Sequence, residues 1–320
     1  MNAPGVAQLS PQMTIASAAG WNLAAGQTAV LDEAFVDRAS RGGRQVPAEV
    51  YDAVVQFANH GSLTGGLLLT DVPLGTPPAT PPTPTTPTTK DATSELALLT
   101  IARLLGQPVG YRPEHGGDLV QNIVPTKSAT SRQVSTSSAV QLMFHTEAAF
   151  HPHRPRYLLL LCLRGDPDAA TTMASIGEAI DQLTSATRAV LFEPRFRTAV
   201  DESYLHGRLN QLGAPCPVLR GDPQRPTMVF DADLMVGMDR AAEDALAELG
   251  TVLATNQREL VLRAGDLLIV DNDAAVHGRT PFTPRFDGTD RWLQRTFVVA
   301  DISPSAGQRD GRVITTQFGS

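Results

Sequence analysis

Short runs of apolar or alternating residues dominate the chain from residue 118 onward. Runs of this kind, separated by glycine, proline and other turn residues, are typical of β-strands. Many short strands can bury their apolar faces only by covering one another, as in a β-sandwich or a β-barrel. We therefore predict a mainly β core. The predicted strands are Asp118–Val124, Val140–His145, Tyr157–Leu163, Thr171–Ile176, Thr227–Phe230, Glu259–Leu262, Asp266–Asp271 and Trp292–Ala300.

Helices are predicted on the flanks of this core. The clearest is Asp239–Asn256, where apolar residues recur at helical spacing along one face. Leu67–Val72 adds a buried strand between helical segments of the first hundred residues. The predicted fold class is therefore mainly β with flanking helices, in a single domain that spans residues 1–320. The other predicted helices are Leu31–Ala39, Pro47–Asn59, Ala92–Leu105, Gly177–Ser185 and Ser185–Phe192.

Two segments are too rich in proline or glycine for regular structure. Residues 73–91 contain repeated Pro and Thr, which exclude a helix or a central strand. We interpret them as an extended surface loop of the same domain; a linker and a disordered insert are the alternatives. Residues 205–226 are polar and long, and we predict that they cover an active site as a lid.

The composition is that of a globular protein. Hydrophobic residues make up 42% of the chain and charged residues 18%, and the net charge is −7. The negative charge and the lack of a basic patch argue against a nucleic-acid partner. No apolar run reaches the length of a membrane span, and the first residues lack the features of a signal peptide, so we expect a cytoplasmic protein.

Three residues are candidates for one metal site. His145 and Glu147 are two positions apart at the end of a predicted strand, where alternate side chains share a face. Far downstream, His277 follows the buried run Leu267–Val270. Two histidines and one carboxylate that leave coordination positions open are the ligands of non-haem Fe(II) oxygenases. The rival pair His151-x-His153 lacks the nearby glutamate that a cupin-like site requires.

Two arginines follow the distal histidine. Arg291 and Arg295 are four positions apart in or beside a predicted strand, so both side chains lie on one face. On the inner face they require anions, and two guanidinium groups match two carboxylates. A dicarboxylate co-substrate and an amino-acid carboxylate satisfy that requirement. Alternatively, the arginines form salt bridges on the outer face.

The stretches that carry these residues resemble the clavaminate synthase-like family of Fe(II)/2-oxoglutarate-dependent oxygenases, within the TauD-type superfamily. The similar stretches are Val140–Pro155, Gly265–Asn272, His277–Arg285 and Asp287–Arg295, and the resemblance covers roughly residues 62–300. Within the family the chain is similar to hydroxylases of free amino acids, such as the arginine 3-hydroxylase of viomycin biosynthesis and asparagine 3-hydroxylase. The resemblance implies a double-stranded β-helix (jelly-roll) core and a role in antibiotic biosynthesis.

The resemblance also implies a set of cofactors and the residues that hold them. Iron would be bound by His145, Glu147 and His277, and the co-substrates would be 2-oxoglutarate and O₂. Arg291 would bind the far carboxylate of 2-oxoglutarate, assisted by Thr171. The implied reaction is hydroxylation of a carbon, or desaturation, which begins with the same removal of hydrogen.

A small-molecule amino-acid substrate is implied in the same way. Arg295 would hold its α-carboxylate and Glu114 its α-ammonium, with Ser135 lining the pocket. Asp231 would recognise the side chain, and the charges of Asp233 and Asp273 favour a basic amino acid, arginine or a derivative. Asparagine or another polar amino acid is the alternative, and so is a substrate tethered to a carrier.

Several of these residues also have simpler interpretations. Asp231 suits a cap for the turn before Leu234, and Glu114 suits a solvated loop position. Asp271-Asn272 is a structural turn or orients a metal ligand. As a different class of protein, a metal-binding cupin or a sugar-binding jelly roll explains the strands, but it does not require the two arginines.

Overall fold

Two mainly antiparallel β-sheets lie face to face in a computed structural model that describes residues 12–26, 31–205 and 207–319. The strands of these sheets and of two small two-stranded sheets, β9-β10 and β8-β11, are β1 Thr14–Ser17, β2 Gly66–Thr70, β3 Gln107–Tyr111, β4 Gln121–Ile123, β5 Leu142–His145, β6 Tyr157–Arg164, β7 Thr171–Ser175, β8 Phe196–Thr198, β9 Leu219–Asp222, β10 Arg225–Met228, β11 Met235–Gly237, β12 Arg258–Leu260, β13 Leu267–Asp271, β14 Ala275–Arg279, β15 Trp292–Val299, β16 Arg309–Asp310 and β17 Val313–Ile314.

The larger sheet has the order β1-β2-β13-β6-β15-β3-β17-β16, with β4 also paired to β15. The smaller sheet has the order β12-β7-β14-β5. The described strands do not close into a barrel, so of the two β architectures expected from the sequence the sandwich, in its jelly-roll form, is confirmed.

Helices cover the outer face of each sheet. The first three pack on the larger sheet, and the fifth and seventh pack on the smaller one. The helices are α1 Glu33–Gly42, α2 Ala48–His60, α3 Thr93–Leu105, α4 Ile176–Ala179, α5 Ser185–Leu191, α6 Glu202–Leu205 and α7 Arg240–Thr255. None of these described helices is long and apolar enough to cross a membrane.

Side chains point alternately to the two faces of the central strands, so alternate residues belong to different layers of the hydrophobic core. In β6, Leu159 and Leu161 pack towards α1–α3, whereas Leu158 and Leu160 face the space between the sheets. In β15, Leu293 and Phe297 face that same inner space. Arg295 lies between them in the alternation, so a charged side chain is turned inward from the centre of the larger sheet.

Most predicted elements agree with the structure to within a few residues. The helix predicted at Gly177–Ser185 is only the short α4, continued by a 3-10 turn at Ile180–Gln182. The sequence patterns do not predict eight strands, namely β1, β3, β8, β9, β11, β14, β16 and β17, and β14 matters most because it contains His277.

Residues 73–91 run as an extended loop along the edge of the two sheets. The Thr80 hydroxyl donates to the carbonyl of Asp290 at 2.6 Å, and the Thr80 N–H donates to Gly288 at 2.8 Å. The amide of Asn122 on β4 donates to Thr86 at 2.8 Å. The flanking elements β2 and α3 share one hydrophobic cluster. The loop is therefore hydrogen-bonded to the segment before β15 and to β4, which pairs with β15.

A buried ion pair anchors the end of this loop. The Lys90 ammonium lies 2.6 Å from the Glu95 carboxylate, with 0% and 5% of the two side chains exposed. The other oxygen of Glu95 accepts from Gln294 of β15 at 2.7 Å. The pair therefore joins the loop, α3 and the larger sheet.

We expect Lys90→Met to lower the free energy of unfolding by about 3–5 kcal/mol, because Glu95 would keep a buried charge without its cation. Urea denaturation followed by circular dichroism measures this. Arg240→Met is the control, since Arg240 and Asp244 form an exposed pair on α7 and its loss should have little effect. Equal stability of the two variants would contradict the anchoring role of Lys90.

Candidate active site

Three metal-ligand side chains meet on the inner face of the smaller sheet. His145 ends β5 and Glu147 follows two residues later. β14 pairs with β5 so that His277 lies directly opposite His145, with ring centroids 4.3 Å apart. The candidate ligand atoms of the three residues all lie within 4.8 Å of one another. No other cluster of this kind occurs in the described part of the chain, and the rival pair His151 and His153 forms none.

The ligand atoms have the protonation and orientation that a metal requires. Nδ1 of His145 lies 2.8 Å from the Met143 carbonyl oxygen, which only accepts, so Nδ1 carries the proton and Nε2 keeps its lone pair. Burial lowers the pKa of His277 far below its usual value, with the nearby His145 and Arg295 adding to the effect. His277 is therefore neutral, the form that binds metals. Its Nε2 lies 3.6 Å from Oε2 of Glu147.

This donor set fits Fe(II). Two imidazole nitrogens and one carboxylate oxygen occupy one side of a site and leave its other positions to ligands from outside the protein. The three residues border a cavity of about 930 Å³ between the sheets. The residues predicted to bind iron, 2-oxoglutarate or the amino acid all line it, namely His145, Glu147, His277, Arg291, Thr171, Arg295, Asp231, Glu114 and Ser135.

Arg291 is a buried cation without an anion. It is 6% exposed, and its Nη2–H donates to the hydroxyl of Thr171 at 2.9 Å. No carboxylate lies within ion-pair distance among the residues that the structure describes. Burial lowers its pKa, which reflects the unfavourable desolvation of the charge. A carboxylate that entered the cavity would neutralise it, so the far end of 2-oxoglutarate fits here.

Arg295 is also buried, but it is paired within the protein. It donates to the carboxylates of Glu114 and of the metal ligand Glu147, the latter at 3.3 Å. Its Nε–H donates to Gln121 at 3.0 Å. Burial raises the pKa of Glu114, although Arg295 opposes the rise. The two residues expected to bind opposite ends of an amino acid thus bind each other in the absence of one.

Asp231 caps a turn, which is one of the two roles that the sequence left as alternatives, and it also lines the cavity. Its Oδ1 accepts the N–H groups of Asp233 and Leu234, both at 2.9 Å, so it does cap the turn. Its backbone also bridges to His145, which places the carboxylate beside the metal ligands and in the cavity wall. Burial raises the pKa of Asp231. One oxygen therefore holds the turn, and the other has no protein hydrogen bond among the described residues.

The structure adds residues that sequence analysis missed. Gln121 contacts Arg295 because β4 pairs with β15 in that register. The Tyr204 hydroxyl donates to Glu114 at 3.2 Å, and Asp201 lines the cavity near it. The alternation that predicted Arg291 and Arg295 carries no information on these cross-strand partners. A weak signal for Gln121 was its place within the predicted strand Asp118–Val124.

Two other predictions concern residues that do not line the cavity. Asp273 does not line the cavity; it pairs with Arg154 at 3.1 Å and Arg156 at 2.6 Å. The segment predicted as a lid includes His206, which lies outside the described residues. Residues 207–226 do not line the cavity, whereas the preceding Asp201 and Tyr204 do, so the lid stays a prediction.

The chain is similar in sequence to known oxygenases and hydroxylases. The model of the family described as "Taurine catabolism dioxygenase TauD, TfdA family" matches residues 65–297. The L-lysine 3-hydroxylase of Catenulispora acidiphila is 37% identical, over 89% of this chain and 81% of that protein. The L-asparagine oxygenase of Streptomyces coelicolor is also 37% identical, over 92% of this chain and 90% of that protein.

Solved structures are similar too. The non-heme iron oxygenase OrfP in complex with Fe, succinate and (3S)-hydroxy-L-Arg superimposes with a TM-score of 0.80 at 31% identity, covering 88% of this chain and 91% of that one.

We expect Arg291→Met to weaken the binding of 2-oxoglutarate about 10- to 100-fold, because hydrogen bonds to charged groups contribute about 1.5–3 kcal/mol. Calorimetric titration of 2-oxoglutarate into Mn(II)-loaded protein without O₂ measures this. Arg285→Met removes an exposed arginine from the same connection and is the control. If both variants bind 2-oxoglutarate as tightly as the wild type does, Arg291 is not its anchor.

Proposed function

The chain belongs to the TauD, TfdA family of dioxygenases, and on this basis we propose that it hydroxylates a free basic amino acid with Fe(II), 2-oxoglutarate and O₂. One observation carries the proposal. Two inward-facing arginines lie beside a centre of two histidines and one carboxylate. Among the described residues, Arg291 has no carboxylate partner, whereas Arg295 pairs with carboxylates. The centre matches the metal, and the arginines match two different carboxylate-bearing ligands.

His145, Glu147 and His277 would hold the iron, and the other residues would position its partners. With 2-oxoglutarate and O₂, bound Fe(II) supplies the oxidation of an unactivated C–H bond, while 2-oxoglutarate becomes succinate and CO₂. Arg291 and Thr171 hold the far carboxylate of 2-oxoglutarate, which aims its other end at the metal. The protein's contribution is thus orientation and exclusion of water from a buried site.

The α-amino-acid group binds where Arg295 and Glu114 now pair. Arg295 donates hydrogen bonds to the α-carboxylate, and Glu114 accepts them from the α-ammonium. Both buried charges therefore stay neutralised when the ion pair between Arg295 and Glu114 opens. Tyr204 and Gln121 hold the two partners in place from either side. Ser135 lines the same part of the cavity. A molecule that lacks either charged group leaves one partner uncompensated, which favours free α-amino acids.

Three aspartates line the cavity, namely Asp231, Asp233 and Asp201, and no arginine or lysine forms an ion pair with Asp231 among the described residues. Carboxylates there attract a guanidinium or an ammonium group. Two of the related enzymes named above are a lysine hydroxylase and an asparagine oxygenase, and OrfP is seen with (3S)-hydroxy-L-Arg, so a side chain that donates hydrogen bonds is common to these amino acids. Asparagine is the second candidate, because Asp231 can also accept from a carboxamide.

A panel of free amino acids scored by succinate release tests the proposal. Arginine, ornithine or lysine should release succinate and gain 16 mass units, whereas a loss of 2 would indicate desaturation. Succinate release without a preference for basic or polar amino acids would refute the substrate class.

We expect Asp231→Asn to raise the KM for the best basic amino acid about 10- to 100-fold, because an ionic hydrogen bond is lost. The asparagine oxygen can still accept from Asp233 and Leu234, so the turn is retained. Steady-state succinate release measures the effect. Asp222→Asn is the matched control, since the exposed Asp222 accepts from the N–H two residues on in the same way, at 2.9 Å. Unchanged KM values in the Asp231 variant would refute its role in recognition.

A further inference from the structure

Asn272 binds the main chain of the carboxylate ligand from both sides. The Glu147 N–H donates to Oδ1 of Asn272 at 2.8 Å, and Nδ2 of Asn272 donates to the Glu147 carbonyl at 3.1 Å. Asn272 is fully buried and lies in the turn between β13 and β14. We propose that Asn272 is a positioning residue that sets the metal affinity of the site by fixing Glu147 relative to His277. This inference rests on the proposed metal centre.

Glu147 needs such support because no strand holds it. β5 ends at His145, so the ligand stands beyond the hydrogen-bonded ladder. The following residue, Ala148, has φ of 51°, a left-handed conformation that is unfavourable for residues with a side chain. The neighbouring residues are anchored elsewhere, because the Thr146 N–H donates to the Phe230 carbonyl at 2.7 Å and the Ala148 carbonyl accepts from the His151 N–H at 2.8 Å. Among the described residues, the main chain of Glu147 is hydrogen-bonded by Asn272, whereas its carboxylate accepts from Arg295.

Asn272 can serve as a fixed point because its own turn is held firmly. Its Nδ2 also donates to the Pro155 carbonyl at 2.9 Å, and its N–H donates to the Arg156 carbonyl at 2.9 Å. The Arg156 side chain pairs with Asp271 at 2.8 Å and Asp273 at 2.6 Å on either side of it. These hydrogen bonds and ion pairs therefore hold residues 155–156 against the turn before β14.

These contacts connect the two halves of the metal site. Asn272 lies five residues before His277, in the turn that connects β13 of the larger sheet to β14 of the smaller sheet. This turn therefore holds the backbone of one ligand, and the strand that follows it contributes another. Arg295 orients the Glu147 carboxylate, whereas Asn272 fixes the backbone from which that carboxylate projects. Loss of partners that orient metal ligands typically weakens metal binding about 10- to 100-fold.

Titration with Co(II), followed by its visible absorption, tests the proposal without turnover. We expect Asn272→Ala to weaken Co(II) binding about 10- to 100-fold. Asn272→Asp keeps an acceptor for the Glu147 N–H but loses both donors, so its affinity should lie between those of the wild type and Asn272→Ala. Asn122→Ala is the matched control, because Asn122 is equally buried and hydrogen-bonded but does not touch the metal ligands.

The outcomes separate this inference from the proposed function. If the wild type binds Co(II) and both Asn272 variants bind it equally well, the positioning role is overturned while the metal centre stands. If the wild type does not bind Co(II), or His277→Ala binds it as tightly, the proposed metal centre itself fails.

Hydrogen exchange on the metal-free wild type needs no variant. We expect the Glu147 amide to exchange slowly before metal is added, since Asn272 already holds it. Rapid exchange at Glu147 that slows only with Co(II) would overturn the proposal, because the ligand would then be positioned by the metal.

Discussion

The burial of two guanidinium groups between the sheets is the constraint on which the rest of the site depends. Alternation along β15 turns Arg295 to the inner face, and Arg291, the residue before β15, lines the same cavity; buried cations are unfavourable without anions. The protein neutralises Arg295 with Glu114 and Glu147, whereas among the described residues Arg291 has only the hydroxyl of Thr171 as a hydrogen-bond partner. In our proposal the missing anion is the far carboxylate of 2-oxoglutarate, so the cofactor completes the charge balance of the core.

In our proposal, substrate recognition and metal binding share one side chain. Arg295 contacts the carboxylate of the metal ligand Glu147 and also pairs with Glu114, the proposed partner of the substrate ammonium. An amino acid that enters this position exchanges an internal ion pair for two pairs of its own, next to the metal. Asn272 keeps the Glu147 backbone fixed during that exchange. The metal centre is thereby protected from the rearrangement that substrate binding requires.

Local patterns in the sequence predicted what depends on local geometry. The apolar and alternating runs predicted eight of the thirteen strands in the two sheets, and the spacing of His145 and Glu147 predicted two ligands on one face. The sequence pattern does not predict strand β14, because Gly278 and Arg279 interrupt its apolar run. Contacts between distant segments, such as Gln121 with Arg295, depend on strand register, which the pattern within each strand does not contain. Charge alone also misplaced Asp273, since only the fold shows that Arg156 reaches it.

The visible absorption of the protein with Fe(II) and 2-oxoglutarate, recorded without O₂, tests the central claim most directly. A chelate of 2-oxoglutarate on iron held by His145, Glu147 and His277 gives a weak charge-transfer band. We expect that band in the wild type and its loss in His277→Ala. A wild type without the band, or a His277→Ala variant that retains it, would contradict the claim that these three residues hold the iron.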